Sequence, residues 1–96
     1  MKLFWTKEVL LRLQEIEGYI SKDNDSTAIK FVDKLISIAE KIVYHPEKGR
    51  IVPELSIDKI REIIFKNYRI VYMTKKDSIN ILTLFESHQS SVIKKR

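Results

Sequence analysis

Ninety-six residues, 44% of them hydrophobic and 32% charged, suffice for one domain with a single two-layer core and exclude a second core or an intrinsically disordered chain. No apolar run approaches the ~20 residues that span a bilayer, and Met1-Lys2-Leu3-Phe4-Trp5 turns polar at Thr6-Lys7-Glu8, short of the apolar stretch of a secretion signal. Cysteine is absent, which removes disulfides, thiol catalysis and thiolate metal sites and fits a cytoplasmic location, while the net charge of +5 favours an anionic partner, nucleic acid or an acidic protein.

In chain order, Lys2-Leu3-Phe4-Trp5 reads as a short strand, and the Thr6 hydroxyl is placed to cap the helix that follows. Val9, Leu13, Ile16 and Ile20 repeat at the spacing of one helical face, and the polar stretch Ser21-Lys22-Asp23-Asn24-Asp25 ends it. A second helix opens at Asn24 or Asp25. Its apolar stripe is Ala28, Phe31, Val32, Leu35, Ile38, Ala39 and Ile42, and it stops near Tyr44-His45 because Pro46 disfavours helix at the residue before it. The two helices are expected to form an antiparallel hairpin. Residues 46–54 hold both prolines and one of the two glycines, and read as a loop.

Three strands follow, Ile60–Phe65, Tyr68–Thr74 and Ser78–Glu86, the first two joined by Lys66-Asn67 and the last two by Lys75-Lys76-Asp77. With Lys66-Asn67 as a two-residue turn, in which Asn tolerates positive φ, Phe65 pairs with Tyr68, Ile64 with Arg69, Ile63 with Ile70 and Glu62 with Val71. Opposite partners share a face. One face then carries Arg61, Ile63, Phe65, Tyr68, Ile70 and Tyr72, and the other Ile60, Glu62, Ile64, Arg69, Val71 and Met73. The second sets the Glu62 carboxylate diagonally across from the Arg69 guanidinium. The order β-α-α-β-β-β implies an α+β fold, an antiparallel sheet with the helical hairpin on one face and the other face free to bind. The basic tail from about residue 89 is expected to be flexible.

Gly49-Arg50-Ile51-Val52-Pro53-Glu54-Leu55, Ile60-Arg61-Glu62-Ile63-Ile64 and Tyr68-Arg69-Ile70-Val71-Tyr72, after a strand and two helices, resemble the RelE/ParE superfamily of toxins from type II toxin–antitoxin modules. The likeness covers about residues 3–88 and is nearest to the ParE, or plasmid-stabilisation, branch. It implies one of two activities on one scaffold. ParE-like members typically poison DNA gyrase, RelE-like members cut messenger RNA in the ribosomal decoding site, and both are neutralised by a cognate antitoxin. By that resemblance Arg69 matches the position where the nucleases place an arginine near the scissile phosphate. Glu62 lies where members carry a basic residue or a catalytic glutamate. Where the nucleases supply an arginine with a tyrosine or histidine, and many ParE-like relatives show His-Gly-x-Arg, this chain has His88-Gln89-Ser90-Ser91, so only His88 is left to transfer a proton.

The expectation is therefore a ParE-like gyrase poison held by an antitoxin. The alternatives are a ribosome-dependent messenger RNA endonuclease using Arg69, Glu62 and His88, and an inactive relative that serves as a binding module. Arg50, Arg61, Lys66 and Arg69 are the candidate contacts to partner or target. RNA cleavage needs a base, an acid and a positive charge for the phosphorane, roles that suit Glu62, His88 and Arg69. The competing reading of Glu62 and Arg69 is a surface ion pair worth about 0.2–1 kcal/mol. No cofactor is expected, and no metal, since His45 and His88 stand far apart in the chain with no cysteine to join them.

Overall fold

The computed structural model describes residues 1–87. The elements are β1 (Lys2–Trp5), α1 (Lys7–Ser21), α2 (Asp25–Ile42), β2 (Arg50–Ile51), β3 (Ile60–Phe65), β4 (Tyr68–Thr74) and β5 (Ser78–Glu86). His88 and the tail lie outside the described residues.

Local chemistry sets both helix starts. Thr6 Oγ1 accepts from the Val9 amide at 3.3 Å and Asn24 Oδ1 from the Thr27 amide at 2.9 Å, each satisfying one of the free donors of a first turn. Thr6 Oγ1 also donates to the Leu82 carbonyl at 3.1 Å, so the same hydroxyl ties the start of α1 to the sheet. Val9, Leu13 and Ile16 of α1 and Ala28, Val32, Leu35, Ala39 and Ile42 of α2 are buried. They meet Ile70, Tyr72, Ile79, Ile81 and Leu84 from one face of the sheet. Full burial of each aliphatic side chain is worth about 1.5–3 kcal/mol, so this single interface carries most of the favourable term in folding. Phe31 of α2 extends it to the hairpin, with ring centroids 5.6 Å from Phe65 and 5.5 Å from Tyr68.

The sheet order is β1-β5-β4-β3-β2. The β3–β4 register is the one set by the Lys66-Asn67 turn, with Phe65 opposite Tyr68, Ile64 opposite Arg69 and Glu62 opposite Val71. The positive φ falls on Lys66 (54°) and not on Asn67. Asn67 instead ties down the end of β5: its carbonyl accepts from the Ser87 amide at 2.6 Å and its Nδ2 donates to Glu86 at 2.9 Å.

Two features correct the expected antiparallel sheet. β1 joins β5 in parallel, Lys2 opposite Ser78 and Trp5 opposite Ile81, so the sheet is mixed. Arg50 and Ile51, read as loop, form the edge strand β2 against Glu62 and Arg61. A register shift between Val71 and Tyr72 leaves Leu82 as an extra residue in β5. Its carbonyl is the one that takes the Thr6 hydroxyl.

Candidate functional site

Strand alternation places Glu62 and Ile64 of β3, and Arg69 and Val71 of β4, on the sheet face away from the helices, and β2 sets Arg50 directly opposite Glu62. Residues 52–59 then bring a second carboxylate, Glu54, to the same place. The result is a four-membered ionic cluster. Glu62 is 1% exposed, the one buried charged residue among those described. Its Oε2 accepts from Arg50 Nε at 2.6 Å and its Oε1 from Arg69 Nη1 at 3.2 Å, while the same Arg69 nitrogen lies 3.5 Å from Glu54 Oε2. The Arg69 side chain is 12% exposed, with its guanidinium carbon 6.0 Å from the Phe85 ring centroid. Its Nε is buried and has no hydrogen-bond partner among the described residues.

Glu62 is thus the hub of a buried cluster and not half of an exposed cross-strand pair. A carboxylate taken out of water costs several kcal/mol unless it is paired and hydrogen-bonded, and two guanidinium groups meet that cost here. Both of its oxygens are engaged and neither faces solvent, so the carboxylate is not presented to take a proton from a bound substrate.

The four cations expected to contact a partner divide into two pairs. Arg50, its side chain 54% exposed, turns much of its guanidinium outward, and Lys66 stands exposed at the tip of the β3–β4 hairpin. Arg69 is enclosed by carboxylates. Arg61 projects from the opposite face of β3, where Nη1 donates to the Gly49 carbonyl at 2.9 Å and reaches the Glu47 carbonyl at 3.5 Å, holding the loop before β2. His88 lies outside the described residues.

That loop is clamped by a residue that sequence reading assigned only to the core. Tyr72 Oη accepts from the Gly49 amide at 2.9 Å and donates to the Pro46 carbonyl at 2.8 Å. A Cβ at position 49 would sit 2.6 Å from Tyr72 Oη and 2.7 Å from the Glu62 carbonyl, so the close approach requires glycine. Burial pushes the Tyr72 phenol above its usual value, with the Gly49 amide and Arg61 pulling the other way. Burial, with help from Glu86 and Tyr19, does the same to Tyr68. Tyr68 and Tyr19 line a cleft of about 160 Å³ between α1 and the ends of β4 and β5. Sequence offers no signal for it, because its walls come from segments some fifty residues apart. No group of three or more acidic or histidine side chains among the described residues is placed to hold a metal ion. None of the described helices is long and apolar enough to cross a membrane.

The profile of the family described as "ParE toxin of type II toxin-antitoxin system, parDE" matches residues 3–90, nearly the whole chain. The chain belongs to the ParE toxin family. A protein of Sinorhizobium fredii (strain NBRC 101917 / NGR234) named "Putative toxin Y4kP" is 31% identical over 90 residues, covering 92% of this chain and 90% of that protein. A solved structure described as "Chromosomal ParDE TA system from P. aeruginosa" superposes with a TM-score of 0.74 at 19% identity, covering 90% of this chain and 95% of that one. At that identity the likeness speaks for the ParE fold alone. The mixed five-stranded sheet under a helical hairpin is this ParE-type toxin's scaffold, and the ionic cluster is built on the segments that carried the family resemblance.

Proposed function

We propose that this ParE-type toxin arrests growth in the cytoplasm by binding and poisoning DNA gyrase, and that a cognate antitoxin neutralises it. The observation that carries this reading is the state of Glu62: buried, with both carboxylate oxygens held by Arg50 and Arg69. A nuclease on this scaffold would need that carboxylate as its base, and the buried pairing argues against that role. Binding needs no such group. Arg50 and Lys66 offer outward cations, and the net charge of +5 accelerates encounter with an acidic surface. Arg61 and Arg69 would serve that surface by holding the loop and the cluster that present Arg50.

Two assays on the purified protein test the reading. Added to gyrase, it should block supercoiling or trap cleaved DNA. Added to a translating extract, it should produce no new codon-specific ends in primer extension. Reproducible cuts that vanish in Arg69→Ala and Glu62→Gln would replace the gyrase reading with the nuclease one.

A further inference from the structure

We infer that the outer edge of β1 receives an extended, acidic segment of a partner protein, which adds to the sheet as a sixth strand. Lys2 donates its amide to the Asp77 carbonyl at 3.0 Å and Thr6 its amide to Ile81 at 3.3 Å. In a parallel ladder alternate residues face the neighbouring strand, so Lys2, Phe4 and Thr6 turn their backbone groups to β5, and Leu3 and Trp5 turn theirs outward. No hydrogen bond among the described residues takes up those two N–H and two C=O groups.

Edge strands are ordinarily blunted by proline, a bulge, an inward charge or a covering segment. β1 has only Lys2, at its start. Its flanks are apolar as well. Met1 is 57% exposed, Phe4 49% and Tyr44 78%. On the helix side, a trench of about 490 Å³ runs between Leu3 and the end of α2 at Val43 and Tyr44. A strand seated about 4.8 Å from β1 would direct alternate side chains into that trench and the others beside Phe4 and Lys2.

Charge decides the occupant. Lys2, Lys41 and, in the adjoining turn, Lys75 and Lys76 surround the edge, against Glu40 and Asp77. A second copy of this chain would bring another +5 and the same lysines to the junction, and the chain's own Lys94, Lys95 and Arg96 carry the wrong sign. An acidic segment with apolar residues at alternate positions satisfies edge, trench and lysines together, in the strand-addition mode of recognition. Only the identity of that segment, as part of the antitoxin, rests on the function proposed above.

The test uses the isotopically labelled full chain with a capped peptide of alternating Val and Glu, and the Val and Lys peptide as control. The acidic peptide should slow amide exchange at Leu3 and Trp5 at least about tenfold, and the basic one should not. The double variant Lys2→Glu, Lys41→Glu, both exposed and outside the ionic cluster, should bind the acidic peptide about tenfold more weakly. Equal protection by both peptides, protection confined to the β3 edge, or none, would overturn the inference. So would a peptide-free dimer that protects the same two amides, because a second copy would then own the edge. These outcomes are independent of the gyrase assay, so failure there would remove the proposed target and leave the docking edge standing.

Discussion

Arg69 and Arg50 contact the same carboxylate but differ in what they leave behind. Removing Arg69 strips a buried oxygen of Glu62 of its only partner from β4, and breaking a buried pair from one side costs about 3–5 kcal/mol. Arg69→Ala is therefore expected to lower unfolding stability by about 3 kcal/mol. Arg50→Ala removes one charged hydrogen bond from a half-exposed partner and should cost less, about 2 kcal/mol, while reducing growth arrest in protein that remains folded. Urea unfolding and growth assays at matched expression read both; an Arg69→Ala protein as stable as wild type would show that the cluster carries little energy. Gly49 gives a second expectation at this scale. Gly49→Ala should destabilise by about 1–3 kcal/mol, and Tyr72→Phe should not rescue it, because the Glu62 carbonyl still stands 2.7 Å from the new Cβ. Full rescue in the double variant would mean that the hydroxyl alone sets the limit.

At the scale of elements, the two helices start on capping side chains with unequal duties. Asn24 serves its own helix, accepting from Thr27. Thr6 caps α1 and also donates to the carbonyl of Leu82, the residue left extra by the register shift in β5. Asn24→Ala should then cost about 1 kcal/mol, and Thr6→Ala closer to 2 kcal/mol. Thr6→Ser, which keeps the hydroxyl, should recover most of that loss in thermal unfolding. Equal costs at the two positions would show that the link from helix to sheet contributes nothing. The hairpin of β3 and β4 illustrates the same sharing of roles. Asn67 was expected to take the strained φ; Lys66 takes it, and Asn67 ties the turn to the end of β5.

At the scale of the whole molecule, the folded state holds two phenols neutral. Tyr72 and Tyr68 both have pKa values raised above the usual 10.0, chiefly by burial. A raised acid is more protonated in the folded than in the unfolded chain between the two values. The stability it contributes is whole below pH 10 and is lost as pH rises through the folded value. Tyr72→Phe should be less stable than wild type near neutrality, since it leaves the Gly49 amide and the Pro46 carbonyl unpaired. The gap between the two proteins should narrow as pH climbs beyond 10. Denaturant unfolding across that range measures it, and a gap constant with pH would show that Tyr72 does not titrate with folding.

What the sequence by itself determined is local. Helix starts at Thr6 and Asn24, the apolar stripes of α1 and α2, and the β3–β4 register all follow from contacts between residues a few positions apart, where spacing and capping chemistry are legible. The Gly49–Leu55 and Tyr68–Tyr72 motifs pointed to the ParE family because the segments themselves are the evidence. The tertiary structure alone decided the rest. Parallel pairing of β1 with β5 joins positions more than seventy residues apart, and no pattern within either strand states the direction of its neighbour. A two-residue strand at Arg50 lies below what alternation can reveal. The Glu62–Arg69 pair was visible as a diagonal, but its burial depends on Arg50 from β2 and on Glu54 from the loop that follows. Whether a carboxylate is a solvated surface charge or the hub of a buried cluster is set by what folds over it, and that is a property of the assembled chain.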